Sequence, residues 1–167
     1  LQNSLAEAKF VDGKLTAGWH AKLVKDNQQL AANSTYKELK QIIHQALKRN
    51  QLFQVVARQR TIHSLLFSRY GVGMSYGRHV DNALMGGSSF FRSDISFTVF
   101  LNSPADYEGG ELVIEGADNE TAYKLEAGSA IVYPSTTLHR VDPVIKGERL
   151  VAVGWVQSLI RDTEKRE

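Results

Sequence analysis

Residues 129–158 read SAIVYPSTTLHRVDPVIKGERLVAVGWVQS. The runs SAIVYPS, LHRVDPV and RLVAVGWVQS are short and rich in Val, Ile and aromatic residues, and the turn-forming segment IKGE precedes the last of them, so the stretch predicts strands rather than helix. LHRVDPV and RLVAVGWV flank IKG and are expected to pair as a hairpin. With Val144, Ile145 and Lys146 as its loop, Val141 faces Arg149 and His139 faces Val151. Cross-strand partners share a face, which places Arg149 on the side of His139, offset by two residues or roughly 7 Å at ~3.3 Å per residue.

The same texture extends upstream. FQVVARQRTI, HSLLFSRYGVG, DISFTVFLN, GELVIEG and AYKLEAG are further strand-like runs, separated by turn signals such as YEGG and EGADNE. Before Asn50 the period is different. Leu39, Ile42, Ile43, Ala46 and Leu47 recur at helical spacing within residues 35–49, a helix that Ser34 or Thr35 would cap. SLAEAKF at residues 4–10 predicts a short helix ended by a VDG turn. Many short strands preceded by helix predict a mainly β fold with flanking helices: a double-stranded β-helix, or jelly-roll, barrel backed by N-terminal helices. Such a barrel encloses a funnel in which ligand sites form.

With 167 residues, no repeat and no Pro/Gly-rich linker, residues 1–167 are read as a single domain. A net charge of +2, from 20 basic against 18 acidic residues, gives no support for nucleic acid or an anionic membrane as partner. No apolar run approaches the ~20 residues that span a bilayer. Neither a basic n-region nor an apolar h-region opens the chain, so a cytoplasmic location is expected. The charged end RDTEKRE reads as a helix cut short, which makes a truncated chain the expectation. Cysteine is absent, so any metal must be held by His, Asp or Glu.

One such set is available. In YGVGMSYGRHVDNALMGG, residues 70–87, His79 and Asp81 stand two apart, so in extended backbone both side chains leave one face. By itself the pair also fits a surface ion pair. His139 supplies a second imidazole, and two histidines with one carboxylate match the facial triad of non-haem Fe(II) oxygenases, which leaves coordination positions open. Arg149 adds a planar fork suited to a carboxylate, and a buried arginine in RLVAVGWV would require such an anion. That combination suits a short dicarboxylate held by the metal at one end and by the guanidinium at the other.

These residues resemble the iron(II)- and 2-oxoglutarate-dependent dioxygenases of the prolyl 4-hydroxylase branch, and more narrowly the bacterial PKHD-type hydroxylases associated with iron uptake. The resemblance rests on RYGVGMSYGRHVD, DISFTVFLN, YEGGELVIE, LEAGSAIVYPSTTLHRVDPVIKGERL and WVQSLIRD together. It implies His79, Asp81 and His139 as Fe(II) ligands and Arg149 as partner of the distal carboxylate of 2-oxoglutarate. Tyr70 is implied as a further contact to that cosubstrate. It also implies O₂ as co-substrate, succinate and CO₂ as products, L-ascorbate as the reductant that rescues oxidised iron, and a C-terminal segment beyond the last residue. The hydroxylated substrate, a small molecule or a peptide, is not encoded in any residue pattern.

Two rival readings share the β-rich fold. A cupin-like zinc or manganese hydrolase or isomerase would use the same ligands, and a non-enzymatic jelly-roll module would use His79 and Asp81 as polar contacts. Arg78, Arg92 and Arg140 are expected either at the funnel mouth or solvated, GMSYG and MGGSS as loops around that mouth, and Trp155 as filling of the barrel.

Overall fold

The computed structural model describes residues 5, 8–16, 21–87 and 89–166. Its strands are β1 (Phe10–Asp12), β2 (Lys25–Asp26), β3 (Gln28–Leu30), β4 (Gln59–Tyr70), β5 (Ser75–His79), β6 (Leu84–Met85), β7 (Phe91–Arg92) and β8 (Ile95–Phe100). They continue with β9 (Tyr107–Gly109), β10 (Leu112–Glu115), β11 (Glu120–Tyr123), β12 (Ala130–Pro134), β13 (His139–Val141), β14 (Val144–Gly147) and β15 (Arg149–Ser158). Two sheets carry the architecture, in orders β1-β3-β4-β15-β8-β12 and β11-β10-β13-β5-β2. In the second half the chain crosses repeatedly between them, from β8 to β10 and β11, back to β12, across to β13 and back to β15, which is the double-stranded β-helix expected.

That alternation overturns the predicted hairpin. β13 pairs with β5 and β10 in the smaller sheet, whereas β15 pairs with β4 and β8 in the larger one. Pro143 begins the crossing, and β14 pairs with β9 before the chain reaches Arg149. His139 and Arg149 therefore approach from opposite walls of the barrel, not from neighbouring strands.

FQVVA is not a strand either. Gln51–Ala57 is a helix whose first turn is capped by the Asn50 side chain, which accepts from Phe53 N at 2.9 Å. Phe53 and Ala57, four residues apart, are its buried positions. Helical spacing is obscured there because β-branched residues dominate the exposed face. The long helix runs over Ser34–Arg49 as predicted, with Leu39, Ile43 and Leu47 buried, but Asn33 caps it rather than Ser34 or Thr35. Of the helix expected at 4–10, residues 4, 6 and 7 lie outside the described residues, while Ala8 and Lys9 are not helical and Phe10 belongs to β1 together with Val11 and Asp12 of the expected turn. Ser75–Gly77 of GMSYG lie in β5 and Met85 of MGGSS in β6, while Gly86, Gly87 and Ser89 lie between β6 and β7.

Period-two alternation sorts the larger sheet into two layers. Leu65, Phe67, Phe97, Val99 and Ala152 join Leu39, Ile43, Leu47, Phe53 and Ala57 in a core beneath the helices. The opposite face, with Tyr70, Phe100 and Val151, meets Leu112, Tyr133 and Val141 between the sheets. Where this second core thins out, small polar residues (Ser64, Ser68, Ser96 and Thr98) line a cavity of about 510 Å³.

Candidate active site

His79 and His139 are direct register partners across β5 and β13, so they share a face. Both are buried. His79 Nδ1 lies 2.7 Å from the Gly77 carbonyl and His139 Nδ1 lies 2.9 Å from that of Thr137. A carbonyl can only accept, so each Nδ1 carries a proton, and in the neutral ring that leaves the Nε2 lone pair for a metal. Asp81, just past the end of β5, donates its backbone N–H to Ser135 O at 3.1 Å. Its carboxylate oxygens lie 4.0 Å from the Nε2 atoms of both histidines.

One potential ligand atom from each of the three residues falls within 4.8 Å of the others. Hard carboxylate with two neutral imidazoles suits a ferrous ion, and the three ligands leave positions free. Ser96 Oγ donates to Asp81 Oδ2 at 2.6 Å, and Ser135 Oγ sits 2.8 Å from Ser96 Oγ. That chain orients the carboxylate. The Tyr76 ring stacks on His79 at 3.7 Å between centroids, and Tyr133 meets His139 edge-on at 5.0 Å. Burial, followed by the neighbouring His139, draws the His79 pKa down to about 4.

Arg149 enters the same cavity from the other sheet. It is 1% exposed, and its Nε and Nη1 atoms have no hydrogen-bond partner among the described residues. The carboxylates that might have neutralised it are engaged elsewhere: Glu148 with Arg69 and Asp142 with Arg140. Its guanidinium carbon instead lies 5.0 Å from the centroid of Tyr70, its register partner on β4, and 5.7 Å from that of Phe100. Gly110 provides room. At its φ of +68°, an added Cβ would stand 2.9 Å from Val144 Cγ2 and 3.2 Å from Arg149 Cδ.

Arg78, Arg92 and Arg140 take the bland alternative in a specific form. Arg78 pairs with Glu115, Arg92 with Asp94 at 3.0 Å, and Arg140 with Asp142 at 2.7 Å. Trp155 lines the cavity, and its buried Nε1 has no hydrogen-bond partner among the described residues. Sequence reasoning missed Ser96, Ser135 and Lys25. A serine within DISFTVFLN is indistinguishable from ordinary alternation, and KDNQQ at 25–29 is polar on both faces, so nothing marks one as buried.

The model of the 2OG-Fe(II) oxygenase superfamily matches residues 65–157. A PKHD-type hydroxylase of Gloeothece citriformis is 66% identical over 100% of this chain and 76% of its own length. One from a Picosynechococcus strain is 67% identical, covering 100% of this chain and 75% of that protein. The fold is similar to that of a Pseudomonas putida prolyl-4-hydroxylase (TM-score 0.60, 22% identity, 94% of this chain and 81% of that one). It is also similar to that of a Trichoplax adhaerens prolyl hydroxylase (TM-score 0.63, 15% identity, 99% and 76%). Among the described residues no helix is long and apolar enough to cross a membrane. This chain belongs to the 2OG-Fe(II) oxygenase superfamily and, within it, to the PKHD-type hydroxylases, enzymes that use Fe(II), 2-oxoglutarate and O₂.

Proposed function

We propose that His79, Asp81 and His139 hold the ferrous ion, that Arg149 binds the distal carboxylate of 2-oxoglutarate against Tyr70, and that the enzyme hydroxylates a C–H bond of a small molecule or peptide. With 2-oxoglutarate and O₂, bound iron supplies the oxidation: one oxygen atom ends in succinate as CO₂ leaves, and the other in the new hydroxyl. The chain's own contribution is positional. Ser96 fixes one oxygen of Asp81, the Gly77 and Thr137 carbonyls fix both imidazole tautomers, and the Tyr76 ring holds the plane of His79. Burial keeps Tyr70 protonated, so its hydroxyl remains able to donate beside Arg149. Ascorbate would serve as the reductant when iron is oxidised without product.

The observation that carries this reading is the pairing of a convergent His-Asp-His set with a buried guanidinium that lacks an acid, both on one cavity. An anaerobic titration with Fe(II) and 2-oxoglutarate tests it. A weak visible charge-transfer band should form only when both are present, and admission of air should yield succinate. Neither band nor succinate would sink the assignment, and His79→Ala should abolish both signals.

A further inference from the structure

The catalytic cavity holds a second buried cation for which the proposed reading has no use. Lys25 on β2 is 6% exposed, and among the described residues it forms no ion pair. Its ammonium donates to Thr16 Oγ1 at 3.3 Å and lies 5.3 Å from the centroid of Tyr76, the ring stacked on His79. The Thr16 hydroxyl in turn donates to Gln29 Oε1 at 2.6 Å. With that oxygen committed, the amide of Gln29, 3% exposed, offers its Nε2 hydrogens, and Nε2 has no hydrogen-bond partner among the described residues. Lys25, Thr16 and Gln29 all line the cavity that holds His79, Asp81 and Arg149.

A buried, unpaired ammonium is costly unless an anion meets it. Two candidates on the chain do not. Asp81 is turned to the histidines and Ser96, and Asp12 is exposed, with Oδ1 accepting from Lys14 N at 2.8 Å. The proposed cosubstrate does not meet it either, because its distal carboxylate is matched by Arg149 and its other end by the metal. Charge makes the same point. Lys25, Asp81 and Arg149 are the only charged residues lining the cavity among those described. With a doubly positive ion and a doubly negative cosubstrate in place, the site still carries one excess positive charge.

We propose that Lys25 and Gln29, locked together through Thr16, form a donor subsite that binds an anionic group of the hydroxylated substrate, a carboxylate in the simplest case, and so orients its C–H bond toward the metal. This rests on the assignment of 2-oxoglutarate to Arg149. Two donors joined through Thr16, one of them charged, suit the two oxygens of a carboxylate better than the single uncharged acceptor of a neutral amide.

The test uses N-acetyl-L-alanine and its neutral amide as probes. The enzyme is loaded with Zn(II) and saturated with 2-oxoglutarate, and binding is read by ligand-observed NMR. The acid should bind and the amide should bind at least about tenfold more weakly, the scale of one charge-assisted hydrogen bond. Lys25→Met should erase that preference and Lys25→Arg should retain it, while both variants bind 2-oxoglutarate as the parent does. Equal binding of acid and amide, or a Lys25→Met variant that keeps the preference, overturns the subsite. A Lys25→Met variant that loses 2-oxoglutarate affinity instead places Lys25 in the cosubstrate site, which also overturns it. Failure of the parent enzyme to bind 2-oxoglutarate would be a failure of the Arg149 assignment, and that measurement is made first.

Discussion

Protonation of His79 opposes the fold. Its pKa is held at about 4 by burial and then by His139, against an ordinary value of 6.5. Between those values the unfolded chain binds a proton that the folded chain refuses. Stability therefore rises with pH through the window and is fully present above it. The metal-free enzyme should lose on the order of a few kcal/mol as pH falls from about 6.5 toward 4. Urea midpoints should show this, and His79→Gln should flatten the curve; a parent midpoint indifferent to pH in that window would contradict the argument. Ser96 acts on the neighbouring ligand. Ser96→Ala removes the 2.6 Å donor to Asp81 and should weaken Fe(II) or Co(II) binding by roughly 10- to 100-fold with little change in fold, as titration would show. His79, Asp81, His139 and Arg149 were legible in the sequence because their residue types are rare in strands and chemically specific. Ser96 and Lys25 were not, since only packing distinguishes them from surface polar residues.

At the scale of elements, a single asparagine joins the two helices that back the larger sheet. Asn50 N donates to Leu47 O at 3.3 Å, closing the long helix, while Asn50 Oδ1 accepts from Phe53 N at 2.9 Å, opening the short one. Asn50→Ala should cost about 1 kcal/mol, the usual value of an N-cap, and should leave cosubstrate binding unchanged. A denaturant melt that shows no loss would mean the Phe53 and Ala57 contacts alone hold the short helix in place. This junction is also where the sequence misled. FQVVARQRTI contains enough β-branched residues to read as one strand, but Arg58, in the left-handed region at φ +41°, splits it into the end of the short helix and the start of β4. The false hairpin has a comparable origin. IKGE does not form a turn: Ile145, Lys146 and Gly147 belong to β14, which pairs with β9, and turn-type residues alone do not reveal which sheet the next strand joins.

Across the whole molecule, the two sheets divide the chemistry. The smaller sheet carries both histidines, and the larger one carries Arg149 with Tyr70 beside it. Strand content and a helical preface sufficed to read the barrel, because alternation and turn spacing are local signals. The convergence of residues 70 positions apart is not local, and only the crossing of consecutive strands between sheets produces it. Folding thus confines a guanidinium beside Tyr70 and Phe100, with no ion pair among the described residues, in exchange for a place where a dianion can bind. Burial lowers the Arg149 pKa, the mark of a charge that the cofactor-free fold tolerates at a cost. Arg149→Met keeps much of the volume and removes that cost, so the metal- and cosubstrate-free variant should melt higher than its parent, by about 1–4 kcal/mol in stability. The same change should weaken 2-oxoglutarate binding by roughly 2–5 kcal/mol while Fe(II) affinity holds. Paired melts with and without 2-oxoglutarate separate the two effects: the parent should gain stability from the cosubstrate and the variant should not. A variant that is less stable than its parent in the absence of ligand would mean that Arg149 supports the barrel itself, and the trade between stability and binding would have to be placed on another residue.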